Sequence, residues 1–101
     1  MKNYNKDFTT IYEDTRKAIT EEIWNSLEAT PILICRYSNH PEDDYLYLYV
    51  AQKGYDNYIA GLANVSRTYG VGLYENYYNC SFKTAMEITM EKIKDYNREE
   101  N

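Results

Sequence analysis

The sequence predicts an α+β fold: a three-stranded antiparallel meander with N- and C-terminal helices packed on one face, in the order α-β-β-β-(α)-α. The first observation is that residues 45–51 alternate tyrosine with aliphatic side chains, as the two faces of a β-strand require. Apolar residues also recur at spacings of three and four near both ends of the chain, as in amphipathic helices. The connections between the expected strands are short, which favours antiparallel pairing.

The first helix is expected at residues 7–28, after a loose polar lead at residues 1–6. Thr30 precedes Pro31, and the residue before a proline is pushed out of helical geometry, so the helix is expected to end there. Its apolar stripe consists of Phe8, Ile11, Tyr12, Thr15, Ala18, Ile19, Ile23 and Leu27.

Three strands are expected, at residues 32–37, 45–51 and 57–65. Between the first two, residues 38–43 contain the small polar residues, proline and acids that are typical of turns. Gly61 interrupts the third strand, which indicates a bulge or the close approach of another backbone.

Residues 73–78 fit two structures, a short helix or a short fourth strand, and the spacing of their apolar residues favours the helix. Ser81 is then expected to cap a last helix over residues 82–96, followed by a solvated tail at residues 98–101. The 101 residues are expected to form a single domain.

Composition and charge argue against several classes of function. The net charge is −5 and no basic stripe exists, which disfavours generic binding to the phosphates of nucleic acids. The polar N-terminus does not resemble a signal peptide, and no apolar run approaches the roughly 20 residues of a membrane span. The sequence therefore predicts a soluble cytoplasmic protein that does not bind membranes.

No sequence motif indicates catalysis, a cofactor or a metal site, so the chain is expected not to be an enzyme. His40 is the single histidine, and the sequence names no nucleophile or orienting partner for it. Gly70 and Gly72 are not followed by the third glycine of a dinucleotide-binding fingerprint. Cys35 is expected to be a small buried hydrophobe. Cys80 lies beside a helix start and is expected to be partly exposed, with a reactive thiol as the less favoured alternative.

Tyrosine is the unusual component, with 13 residues against two phenylalanines and one tryptophan. Two interpretations remain open: a thin-layered fold in which many phenols stay partly wet, or a tyrosine-rich recognition surface. If both helices cover the aliphatic face of residues 45–51, the tyrosine face is left open. The expected partner-binding residues are Tyr45, Tyr47, Tyr49, Tyr58 and Arg36.

The predicted function is that of a small, acidic, non-catalytic binding protein, which acts through a tyrosine-rich protein–protein surface on another protein or on a second copy of itself. By analogy, it is expected to be encoded by a phage or mobile element and to inhibit a host defence nuclease. The alternative is a nucleic-acid-binding module whose sheet tyrosines stack on bases. The element order resembles the double-stranded-RNA-binding fold, but that family's lysine-rich start of the last helix is reduced to Lys83, so RNA binding is not expected.

A second resemblance concerns residues 59–96. This segment contains Ile59-Ala60-Gly61-Leu62, then Leu73-Tyr74 and Tyr77-Tyr78, and then an amphipathic helix. The pattern resembles that of a family of uncharacterised gut-bacterial proteins. The resemblance implies a bacterial or mobile-element origin and no particular function.

Overall fold

Two helices and four strands make up the part of the chain that the computed structural model describes, residues 4–37, 46–66 and 70–100. The strands form one antiparallel sheet with the order β1-β2-β3-β4, so β1 and β4 are its edges. The α+β class is confirmed, but the sheet has four strands and not three. The elements are α1 (Tyr4–Leu27), β1 (Thr30–Arg36), β2 (Leu46–Gly54), β3 (Asn57–Ser66), β4 (Gly70–Cys80) and α2 (Phe82–Glu100).

The end of α1 is fixed by a local turn and by a lysine from the sheet. Glu28 leaves helical geometry with a φ of 53°, while its amide still donates to the carbonyl of Trp24 at 2.9 Å. Lys53 of β2 donates to the carbonyl oxygen of Leu27 at 2.6 Å. A cation therefore satisfies one of the last helical carbonyls and ties α1 to the hairpin between β2 and β3.

The two helices lie on opposite faces of the sheet, so the predicted packing on one face is wrong. Ile19 and Ile23 of α1 share a buried cluster with Tyr49 of β2. Ala85 of α2 belongs to a second cluster with Val50, the next residue of the same strand. Successive side chains of a strand point to opposite faces, so the sheet is the middle of three layers. A tyrosine ring is a large apolar group, and a strand that alternates tyrosine with aliphatic residues therefore has two faces to bury.

Strand β4 contains residues 73–78, so the helix predicted there is wrong. The pairing of β4 with β3 slips twice, which is the mark of two β-bulges, and Glu75 and Asn79 adopt positive φ angles of 54° and 59° near the slips. Each bulge adds one residue to the usual step of two. Tyr74 and Tyr77 consequently share a face at a spacing of three, which imitates helical periodicity.

The start of α2 follows the prediction. The hydroxyl of Ser81 accepts a hydrogen bond from the amide of Thr84 at 3.1 Å, which confirms the predicted N-cap. A carboxylate oxygen of Asp56, in the turn between β2 and β3, lies 3.5 Å from the amide nitrogen of Phe82. Its negative charge is favourable at a helix N-terminus.

Candidate interaction surface

The open tyrosine face predicted for β2 is wrong, because Tyr47 and Tyr49 are 4% and 0% exposed. Both side chains belong to the buried cluster on the α1 face. Neither ring is exposed, so the burial argues against contact of these two residues with a partner protein or a stacked nucleic-acid base. Tyr45, His40 and the acidic residues 42–44 lie outside the described residues.

The other two predicted partner-binding residues lie on opposite faces of the sheet. Arg36 pairs in register with Tyr47 and is half-buried on the α1 face. Tyr58 lies on the α2 face, where its ring meets the ring of Phe82 edge-on with 5.4 Å between the centroids. Arg36 and Tyr58 therefore do not form one site, and a contact of either residue with a partner stays a prediction.

Tyr49 links the core to the surface through a short chain of hydrogen bonds. Its hydroxyl donates to Oδ1 of Asn76 on β4, and Nδ2 of Asn76 donates to the hydroxyl of Tyr78 at 3.2 Å. Burial raises the pKa of Tyr49 far above its ordinary value, and the neighbouring phenol of Tyr78 raises it further. Tyr49 is therefore a neutral donor that fixes the position of Asn76.

Exposed tyrosines cluster on β4, at the edge of the sheet. Tyr74, Tyr77 and Tyr78 are 37%, 45% and 54% exposed. Tyr74 and Tyr77 are in register with residues of β3 on the α2 face, whereas Tyr78 is joined to Asn76 on the α1 face. The edge strand therefore presents phenols on both of its sides, and we call these three residues the β4 tyrosine surface.

These three tyrosines were not predicted as a surface, because the apolar spacing of residues 73–78 favours a helix. Two signals for a bulged strand were present. Residues 73–78 are rich in tyrosine, which is enriched in strands, and Asn79 is a residue type that tolerates positive φ. Glu75 gave no comparable signal, because glutamate rarely adopts this conformation.

An ion pair holds α2 against the β4 tyrosine surface. Nζ of Lys92 lies 2.6 Å from a carboxylate oxygen of Glu75 and 5.6 Å from the ring centroid of Tyr77. Burial by itself lowers the pKa of Lys92, but the hydrogen bond and the negative charge of Glu75 raise it, and the net direction is upward. The strained bulge residue therefore gains a charged partner, and the ammonium group lies near an aromatic ring.

A shallow depression of about 340 Å³ separates the β4 tyrosine surface from the outer side of α2. It combines an aromatic ring and an aliphatic floor with three carboxylates and one ammonium group. The lining residues are Tyr77, Thr84, Glu87, Ile88, Glu91, Lys92 and Asp95.

The described residues offer little for metal binding or thiol chemistry. Within residues 4–37, 46–66 and 70–100, no group of three His, Cys, Asp or Glu residues is placed to hold a metal ion. Cys80 is 8% exposed, and its thiol lies 3.6 Å from the carbonyl oxygen of Tyr77, which contradicts the expected exposure. Cys35 is half-buried, and burial raises the pKa of its thiol while the charge of Arg16 lowers it.

Comparison with models of known families gives no match, and comparisons with curated proteins and with solved structures find no similar protein either. The resemblance to a gut-bacterial family therefore stays a prediction. Neither helix is long and apolar enough, over the residues described, to cross a membrane.

Proposed function

We propose that this chain is a non-catalytic protein that binds another protein through the β4 tyrosine surface and the adjoining depression. The observation that carries the proposal is the exposure of Tyr74, Tyr77 and Tyr78 on one edge strand. Tyrosine provides a large contact area with few rotatable bonds and a polar hydroxyl, and it is enriched in protein interfaces.

Two contacts support the proposal because they order the surface before a partner arrives. The buried Tyr49 anchors Asn76, which in turn donates to Tyr78. Lys92 bonds to Glu75 beside the Tyr77 ring. Side chains that are already ordered lose less conformational entropy when they bind, so more of the contact energy remains as affinity.

The shape of β4 favours recognition by side chains over pairing with a further strand. Bulges near Glu75 and Asn79 interrupt the regular ladder and twist the edge. An added strand needs a continuous row of backbone donors and acceptors, which a bulged edge does not offer. The tyrosine side chains, and not the backbone, are therefore the groups expected to carry affinity.

The charges beside the β4 tyrosine surface favour a basic partner. Glu87, Glu91 and Asp95 line the depression together with the single cation Lys92. Arginine suits such a surface because its guanidinium pairs with carboxylates and stacks on phenol rings. The nucleic-acid-binding surface of a nuclease has this chemistry, so inhibition of a host defence nuclease falls within the proposal as its most specific form, by analogy.

Site-specific photo-crosslinking tests the proposal directly. A photo-reactive phenylalanine derivative at position 77 would be compared with the same group at position 55. Tyr55 is a matched control because it is 99% exposed but lies in the turn between β2 and β3. We expect a specific protein adduct from position 77 and none from position 55. The same adducts from both positions, or none from either, would refute the assignment of the surface.

The identified partner then allows a quantitative test. The double variant Tyr77→Ala/Tyr78→Ala is expected to bind it at least tenfold more weakly, about 1.4 kcal/mol, because central aromatic residues dominate interface energies. Tyr55→Ala should bind like the wild type. Unchanged circular dichroism would show that both variants keep the fold.

A further inference from the structure

A second flank of α2 carries an exposed apolar strip. Phe82, Met86 and Met90 recur every four residues, and Phe82 and Met90 are 47% and 52% exposed. The three residues line a groove of about 650 Å³, which we call the α2 groove. Lys92, on the opposite flank of the helix, reaches Glu75 of β4. The α2 groove therefore faces the β1 side of the sheet.

Among the described residues, the sheet extends beyond α2 on that side by the edge strand β1. Among the described elements, α2 packs on β2, β3 and β4. Neighbouring strands lie about 4.8 Å apart, so β1 is about 10 Å from β3. Packed helices are separated by about 8–10 Å. A helix placed above β1 would therefore lie at packing distance from α2.

Two half-buried residues of β1, Leu33 and Cys35, border this space. Leu33 is half-buried and packs, like Met86, against the cluster on the α2 face. Cys35 shares the face of Leu33 and is also half-buried. An amphipathic helix needs such an apolar groove, and methionine adapts its shape to the side chains that enter.

Charged residues along the α2 groove indicate which helix fits. In chain order, its edge carries Lys83, Glu87, Glu91 and Lys94: one cation, two carboxylates and one cation. The two glutamates are one helical turn apart and repel each other. A second copy of α2 in an antiparallel pair would present the same order of charges and place like charges together. A complementary helix has two cations at its centre and a carboxylate at each end.

We infer that an amphipathic helix of another protein binds in the α2 groove above β1, with its apolar stripe on Phe82, Met86 and Met90 and two central cations facing Glu87 and Glu91. The α2 groove shares Glu87 and Glu91 with the depression beside the β4 tyrosine surface, but its apolar strip lies on the other flank of α2. A partner on Met86 and Met90 is therefore distinguishable from one on Tyr77.

Two synthetic peptides of identical composition test whether the α2 groove binds such a helix. Each is a leucine-striped helix of about 18 residues, or five turns. One has two central lysines with glutamates at its ends, and the other has the reverse order. Binding is followed by the ¹³C-methyl signals of Met86 and Met90, each assigned with a Met→Leu variant. We expect the lysine-centred peptide to shift both signals and to bind at least tenfold more tightly than the reversed peptide.

Charge reversal in the protein tests the two glutamates, and the methyl signals of Met86 and Met90 assign the effect to the α2 groove. Glu87→Lys/Glu91→Lys replaces two exposed side chains and is expected to invert the preference between the peptides. Tyr77→Ala, on the other flank, should change neither affinity by more than twofold. The inference is overturned if neither peptide shifts the methyl signals at millimolar concentration, or if the preference survives charge reversal. Shifts that depend on protein concentration alone would also overturn it, because they would place a second copy in the α2 groove.

Discussion

Gly61 of β3 tests the packing of the sheet most sharply, because Gly61→Ala adds a single methyl group where there is no space. A Cβ at this position would lie 2.5 Å from Oδ1 of Asn76 and 3.0 Å from both Cε2 and the hydroxyl of Tyr49. Carbon atoms pack favourably at about 3.5–4.0 Å, so at least one neighbour must move. Tyr49 is fully buried and Asn76 is its hydrogen-bond partner, so a shift of either disturbs the bond between them.

Two opposing effects determine how far Gly61→Ala lowers the free energy of unfolding. Overpacking of a well-packed site costs about 1–3 kcal/mol. Replacing glycine by alanine also restricts the unfolded chain, which stabilises the folded state by about 0.4–1 kcal/mol where the backbone is compatible. The net loss is therefore about 1–2 kcal/mol, or a fall in Tm of roughly 4–16 °C for a domain of this size.

Gly72→Ala in β4 is the matched control. A Cβ on Gly72 meets nothing within 4 Å, and its φ is not positive, so the substitution changes only the unfolded chain. We expect Gly72→Ala to be neutral or slightly stabilising, and the two variants to differ by about 2 kcal/mol. Urea denaturation measures both free energies of unfolding, and unchanged m values would show that the denatured state is comparable.

A double variant locates the clash. Gly61→Ala/Asn76→Ala removes the atom nearest to the new methyl group, so its loss of stability should be smaller than the sum of the two single losses by about 1 kcal/mol. If Gly61→Ala proves as stable as Gly72→Ala, the close packing of Tyr49 and Asn76 around Gly61 is refuted.

Three further variants test the contacts around the two surfaces. The pKa of Tyr49 is raised in the folded state, so the contribution of its neutral phenol to stability is full below about pH 10 and is lost as the pH rises further. In urea denaturation, the free energy of unfolding of Tyr49→Phe should therefore fall less at alkaline pH than that of the wild type. Equal falls would contradict a buried phenol donor. Ser81→Ala removes the cap of α2 and should cost about 1 kcal/mol in the same assay, whereas an unchanged midpoint would mean that the cap does not contribute. Lys92→Met should lower the free energy of unfolding by no more than about 1 kcal/mol, because Glu75 is half exposed. The difference from the wild type should shrink in high salt. A difference independent of salt would indicate that packing, not the ion pair, stabilises the fold.

Most elements were predictable because their signals are local. Residues 7–28 and 82–96 were predicted as helices, and α1 and α2 occupy Tyr4–Leu27 and Phe82–Glu100. The glycine at position 61 was expected to mark a bulge or a close approach, and it lies opposite a slip in the pairing with β4 and beneath the Tyr49 ring. Such features follow from spacing, proline, glycine and capping residues, all of which act within a few positions of the chain.

The location of the exposed tyrosines was not predictable in the same way. The alternation in β2 correctly indicated a strand with a tyrosine face, but it did not indicate whether that face is covered. Tyrosine is stable in either setting, because its ring is apolar and its hydroxyl needs only one partner, which Asn76 provides for Tyr49 across the sheet. Segment 73–78 was misassigned because Leu73, Tyr77 and Tyr78 fit helical spacing, and nothing local showed the two bulges that interrupt the period of two in this strand.

The sequence by itself determined the α+β class, the strand at β2, the Ser81 cap and the two amphipathic helices, because each is encoded by periodicity or by a capping residue within one segment. Tertiary structure alone decided that α1 and α2 take opposite faces, which buries Tyr47 and Tyr49 and leaves Tyr74, Tyr77 and Tyr78 at the edge. The physical reason is that burial depends on which segments meet across the sheet. The ion pair of Glu75 at the bulge with Lys92 joins β4 to α2, so neither segment encodes it alone.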